Sequence, residues 1–255
     1  MYNANIDKDV LLKVENFSLK FEPPDTYAHS LRDKFVELCK DPISFLFNTR
    51  DQLQILKDIS FNVHKGDIIG LLGTNGVGKT SLCRYLSGIV RSKGVECSGD
   101  VRAIFDTNIS FYPNLSGYEN TVILTELLYA NYSKEERKKI LHDAIEFSEL
   151  NEFLPMPINR YSKGMKARLY LSLVTARPAD LIILDEIFGA TDIFFAEKLS
   201  ARIHSLISES GAAVVVSHNF DDIKSYCNKV IILSDKVIHF NGSVDEGIEV
   251  YKNLR

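Results

Sequence analysis

No stretch of this chain is apolar for the roughly 18–20 residues that a bilayer-spanning helix needs. Residues 1–10 are polar and lack the apolar core of a secretory leader. Cysteine is scarce: Cys39, Cys83, Cys97 and Cys227 make no CxxC pair and have no histidine at zinc-ligand spacing. That pattern excludes a disulfide scaffold and a zinc finger, and fits reduced thiols in a cytosolic setting. Charge of one sign is also missing. Thirty Lys and Arg against 34 Asp and Glu leave a net charge of −4, so bulk attraction to nucleic acid or acidic lipid is not expected. There is no internal repeat, low-complexity tract or linker. The 255 residues suit one domain, or one domain with a subdomain.

What is present is organised around residues 71–81, Leu-Leu-Gly-Thr-Asn-Gly-Val-Gly-Lys-Thr-Ser. Gly73, Gly78, Lys79 and Thr80 have the spacing of a phosphate-binding loop, G-x-x-x-x-G-K-[ST]. The loop also contains Thr74, Asn75, Gly76 and Val77, and Ser81 follows it. Its glycines let backbone N–H groups approach an anion, and the helix expected from Lys79 adds its positive end. Lys79 supplies a mobile charge for the β- and γ-phosphates. The Thr80 hydroxyl is suited to Mg²⁺. The apolar run at 67–72 reads as a buried parallel strand before the loop, and Leu82, Tyr85 and Leu86 have helical spacing after it.

Elsewhere the pattern predicts one or two strands over 10–21, broken by Glu22-Pro23-Pro24-Asp25, and a helix over 29–40 that presents Leu31, Phe35 and Leu38. That helix is either ordinary core packing or an amphipathic piece lying on a membrane or a partner. Strands are expected at 55–64 and 101–105, with a turn-rich stretch at 92–100. A helical lobe, about 118–176, follows, with a capping box from Ser133 to Glu136 and a helix over 164–176. Strands at 181–184 and 212–216, a helix at 196–208, a hairpin over 229–240 and a helix over 243–255 complete the chain. Strands alternating with helices argue for an α/β fold with a parallel core sheet.

Two further groups carry chemistry. The apolar run at 181–184 ends in Asp185-Glu186, at the strand end where an open α/β sheet places its ligand. Asp185 is then a Mg²⁺ ligand, directly or through water, and Glu186 orients the attacking water. His218 follows the strand at 212–216. It is either a surface or packed residue, or a hydrogen-bonding partner of a γ-phosphate. Residues 161–169 read Tyr-Ser-Lys-Gly-Met-Lys-Ala-Arg-Leu, so that a serine and a glycine open a helix with an anion-ready N-terminus.

With that stretch the chain resembles the ATPase subunits of ABC transporters, whose signature commonly reads Leu-Ser-Gly-Gly-Gln. The order of phosphate loop, signature, acidic strand end and histidine also matches, over about residues 10–251. Tyr-Ser-x-Gly-Met-x-Ala-Arg-Leu looks like the variant found in exporters of bacterial surface polysaccharides: O-antigen, capsule and teichoic acid. Phe111-Tyr112-Pro113-Asn114-Leu115-Ser116-Gly117-Tyr118-Glu119-Asn120 and the insertion at 22–50 agree with that branch. The resemblance implies a P-loop NTPase core with a mostly parallel sheet, an antiparallel β subdomain and an inserted helical subdomain. It implies a homodimer with ATP and Mg²⁺ at its interface. The phosphate loop of one copy is closed over by Ser162, Lys163, Gly164 and Met165 of the other, and Asp192 lies in the loop crossing between them. It also implies an integral membrane permease handling a lipid-linked glycan, and a peripheral place on the cytoplasmic face of the bacterial inner membrane. The helix around Leu31–Leu38 is expected to touch that permease. No carbohydrate-binding domain is expected at the C-terminus, and no nucleic acid partner.

The chain departs from the family at three points. Lys163 stands where a small residue is usual, no glutamine occurs at 108–111, and no aromatic occurs at 53–55 to stack on a base. The last point leaves the choice between ATP and GTP open. A soluble ATPase acting on nucleic acid or ribosomes, and a nucleotide-gated adaptor without turnover, are the alternatives.

Overall fold

The computed structural model describes residues 9–21, 53–105, 111–185, 192–217 and 219–254. The insertion at 22–50 with its expected helix, residues 108–110, Glu186 and His218 lie outside the described residues. In chain order the first elements are β1 (Val10–Phe21), β2 (Leu53–His64), β3 (Ile68–Gly73), α1 (Lys79–Leu86), β4 (Val95–Cys97) and β5 (Val101–Ile104). Then come α2 (Gly117–Leu128), α3 (Lys134–Ser148), α4 (Lys163–Val174), β6 (Leu181–Asp185) and α5 (Ile193–Glu209). The last are β7 (Ala212–Val216), α6 (Phe220–Tyr226), β8 (Lys229–Ser234), β9 (Val237–Gly242) and α7 (Val244–Asn253).

The main sheet runs β5-β6-β7-β3-β8-β9. It is parallel from β5 to β8, and β9 returns antiparallel on β8. β6 and β7 are buried along their whole length, which is why they read as unbroken apolar runs. Their side chains alternate between two cores, as a period of two requires. Leu181, Ile183, Val214 and Val216 face α1 and the smaller sheet. Ile182, Leu184, Ala213 and Val215 face α4 and α5. α6 and α7 cover β8 through Ile223, Ile248 and Tyr251.

The smaller sheet is antiparallel, in the order β2-β1-β4. β1 is one strand bent by irregular register around Asn16, whose φ of 47° breaks the pleat. The stretch at 92–100, expected to be turns, contains β4, paired to Leu12–Val14 of β1. α6 has no counterpart in the sequence reading. Helices α2 and α3 both start on reciprocal capping boxes, Ser116 with Glu119 and Ser133 with Glu136.

Candidate nucleotide site

β3 delivers the chain into the glycine loop, and α1 leaves it. A Cβ on Gly73 would lie 2.8 Å from the Leu233 carbonyl oxygen of β8, so only glycine lets the loop leave the sheet here. Gly78 is the N-cap of α1 at φ 107°, and a Cβ there would lie 2.8 Å from Ile55 Cγ2. No side chain caps α1 and no acidic residue stands in its first turn, so its N–H donors and positive end are left for a ligand. Lys79 is buried, and its Nζ donates to the carbonyls of Gly73 (2.8 Å) and Thr74 (3.2 Å). The ammonium is thus held across the loop. Thr74, Asn75, Gly76 and Thr80 are exposed, while Val77, Gly78 and Ser81 are half-buried.

Asp185 ends β6, buried, in register with Val216 of β7. Both Asp185 and Lys79 act on the buried Cys83 thiol of α1. Burial pushes that thiol far above its ordinary range, the Asp185 charge adds to the rise, and the Lys79 charge opposes it. Thr80 and Asp185 offer hard oxygen donors, the chemistry Mg²⁺ takes. Among the described residues no cluster of three or more His, Cys, Asp or Glu could cage a metal. A cation here would draw its remaining ligands from phosphate and water.

A cavity of about 670 Å³ opens over the loop, lined by Asn75, Gly76, Gly78, Lys79, Thr80 and Ser81. Its apolar lining is Leu19, Phe21, Ile55, Tyr85 and Val90, with the cations Lys20 and Arg84 alongside. Among the described residues no acidic side chain lines it. No aromatic stands at 53–55; among the described residues the aromatic side chains lining the cavity are Phe21 of β1 and Tyr85 of α1. Phe21 pairs with Leu53 across the sheet and stands 53% exposed at the cavity.

Ser162 caps α4, accepting from the Met165 N–H at 3.1 Å, and α4 also has no acidic residue in its first turn. Tyr161 anchors this end. It is buried beside Leu150, Leu154 and Leu169, and its hydroxyl donates to the Phe153 carbonyl at 2.8 Å. A Cβ on Gly117 would collide with that hydroxyl, so Gly117 is the seat of Tyr161. A Cβ on Gly164 would meet only Ser162 Oγ, at 3.9 Å, and Lys163 is exposed. None of Ser162, Lys163, Gly164 and Met165 lines the cavity over the phosphate loop. Asp192 is engaged within its own chain. It caps α5 through the Phe195 N–H (3.1 Å) and accepts from Arg168 Nε of α4 (2.9 Å). The Arg168 hydrogen bond holds its carboxyl below the usual range.

Residues 56–189 match the family described as ABC transporter. The O-antigen export system ATP-binding protein RfbE of Yersinia enterocolitica is 32% identical over 230 residues, 88% of this chain and 95% of its own. RfbB of Klebsiella pneumoniae, a protein of the same description, is 33% identical over 217 residues, 81% of this chain and 87% of its own. The teichoic acids export ATP-binding protein TagH of Lactococcus lactis is 35% identical over 247 residues, 96% of this chain but 51% of the longer relative. Two solved structures share the fold at low identity. A dimeric ATP-binding cassette in a post-hydrolysis state with ADP and Pi is 18% identical, with a TM-score of 0.68 over 92% of this chain and 99% of its own. An ATP-binding subunit of an ABC transporter is 20% identical, with a TM-score of 0.70 over 95% and 93%. The α/β fold, the phosphate loop leading into α1, the serine-capped α4 and this kinship agree: the chain belongs to the ABC transporter family and is an ATPase of the ATP-binding-cassette type.

Proposed function

We propose that this chain is the ATP-hydrolysing subunit of an exporter that moves a lipid-linked surface polysaccharide, of O-antigen, capsule or teichoic-acid type, across the cytoplasmic membrane. Two copies work together beneath an integral membrane permease. The names of the relatives support the cargo class. The observation that carries the two-copy mechanism is the separation of the parts within one copy. The phosphate-loop cavity has no wall from residues 162–165, while the α4 N-terminus is capped, free of acidic residues and unobstructed at Gly164.

The chain's own groups divide the work. The loop amides at 74–78 and the α1 N-terminus receive the phosphates, and Lys79 exchanges its two carbonyl contacts for phosphate oxygens. Thr80 and Asp185 would hold a Mg²⁺, whose chemistry there would be to neutralise charge on the transferred group. Phe21 stacks on the base. Ser162, Gly164 and Met165 of the second copy close over the γ-phosphate, and Lys163 brings them an extra cation. Glu186 takes the proton of the attacking water, and His218 hydrogen-bonds the γ-phosphate. Closing the pair excludes water and strengthens each of these contacts.

The test is Glu186→Gln in the full chain. This variant should bind ATP, hydrolyse it at a small fraction of the parent rate, and accumulate as an ATP-dependent dimer in sedimentation velocity. Unchanged turnover would remove Glu186 from its role. For the cargo, cells lacking the gene should lose the surface polymer, and Lys79→Ala should fail to restore it. Co-purification with ribosomes in place of an integral membrane protein would overturn the export reading.

A further inference from the structure

Between the start of α5 and the lobe formed by α2, α3 and α4 runs a chain of charges that no nucleotide contact requires. α3 ends at Ser148, and Glu149 turns the backbone at φ 57°, a left-handed conformation uncommon outside glycine. The Glu149 carboxylate is met by Lys198 of α5, whose Nζ donates to Oε1 at 2.6 Å and to the Phe147 carbonyl at 3.1 Å. On its other side, Arg168 Nη1 stands 3.8 Å from Glu149 Oε2. Arg168 also holds Asp192 through Nε at 2.9 Å. Glu149 therefore sits between cations of two helices, and Arg168 sits between two carboxylates. Beneath them Phe147 and Phe195 meet edge to face at 5.6 Å. The Arg202 guanidinium lies 3.5 Å from the Phe147 ring centre and pairs with Asp143 at 2.9 Å.

The exposure of these groups says what they are for. The side chains of Arg168, Lys198, Asp192 and Glu149 are 22%, 38%, 45% and 55% exposed. Ion pairs in such half-solvated surroundings are individually weak, too weak to hold the lobe, which the aromatic contact beneath already anchors. They are enough to bias where α4 comes to rest. Arg168 is six residues beyond Ser162, about 9 Å along the helix, so a shift at Arg168 is felt at the serine-capped end.

We propose that Glu149 and Lys198 are positioning residues: through Arg168 and Asp192 they set the stance of the Ser162 end of α4 and thereby the ATP concentration at which two copies close. The inference rests on the two-copy reading above. Neither residue touches nucleotide in it.

The experiment uses the full chain carrying Glu186→Gln, with Glu149→Gln, Lys198→Met, both together, and Lys198→Arg added. ATP affinity is read on dilute monomer by fluorescent-nucleotide displacement. The ATP midpoint of dimerisation is read by sedimentation velocity. Each single substitution should raise the midpoint about three- to tenfold, the size of two coupled exposed pairs. Monomer affinity should stay put, and the double variant should be no worse than the worse single. Lys198→Arg, which keeps the charge and the reach, should track the parent. An unmoved midpoint in both single variants overturns the proposal, as does a monomer affinity that falls by the same factor. If the Glu186→Gln parent itself fails to dimerise with ATP, the two-copy reading falls first and takes this inference with it.

Discussion

Phe21→Ala tests the proposal that Phe21 stacks on the base. Phe21 ends β1 opposite Leu53 and leaves 53% of its surface exposed at a cavity also lined by Leu19, Ile55, Tyr85 and Val90. An exposed aromatic among apolar side chains offers one face to a flat ring. Loss of a base–aromatic stack costs about 1–3 kcal/mol, and Phe21 covers a single face with half its surface already in water, so the lower half of that range applies. Affinity for ATP should fall about five- to thirtyfold, by the usual conversion of about 1.4 kcal/mol per decade. Stacking tolerates any base, so affinity for GTP should fall by a similar factor. Inorganic tripolyphosphate, which keeps the phosphates and lacks the base, should bind both proteins alike. The assay is titration calorimetry with the three ligands, with Phe21→Tyr as the conservative control expected near the parent. Because Phe21 is already half-exposed, its removal should barely move the Tm. Equal losses for ATP and tripolyphosphate would mean that the substitution disturbs the loop, and the assignment of Phe21 to the base would be wrong.

Two other outcomes follow from charges that the fold places against a local preference. Asp67, 6% exposed, accepts from the His64 N–H at 2.9 Å and from Lys229 Nζ at 2.6 Å. Burial alone would raise its carboxyl, but the hydrogen bonds from Lys229 and His64 outweigh that and leave it below the ordinary carboxylate range. A depressed folded value gives stability that is whole above the unfolded carboxylate value of about 3.9 and is lost as pH falls through the lower folded one. Asp67→Asn should therefore cost about 1–2 kcal/mol near neutrality, discounted because Lys229 is half-exposed, and the gap should close below about pH 4 in urea titrations. A gap that widens on acidification would reverse the sign of the argument. Lys163 opposes the α4 dipole from its first turn, at about 0.3–1 kcal/mol. Lys163→Ser should raise the Tm by about 1–3 °C and weaken ATP-driven dimerisation, with a shallower dependence on salt. A protein that gains stability and dimerises as before would show that the lysine has no phosphate to meet.

What the sequence revealed and what it hid divide along a physical line. β6 and β7 are legible because burial on both faces keeps polar residues out of 181–184 and 212–216, and the charge at Asp185 comes only at the strand end. The phosphate loop was legible because its glycines are forced by close approaches that any sequence solving the same geometry must respect, Gly73 to β8 and Gly78 to Ile55. The Ser133–Glu136 box is legible as a local pattern, and the same pattern at Ser116–Glu119 lies inside a longer motif; both close reciprocally. β4 has three residues and no pattern of its own; it is a strand because β1 lies beside it. Phe21 reaches the cavity only through the register of β1 on β2, and a residue 32 positions from its partner Leu53 carries no local mark of that. The charge chain is harder still, for its links span 24 residues from Arg168 to Asp192 and 49 from Glu149 to Lys198. Motifs that a ligand imposes on a single loop are written locally. Arrangements that set one lobe against another arise from exposed side chains whose partners only the fold supplies, and their weak, half-solvated pairs are the ones a binding cycle can afford to shift.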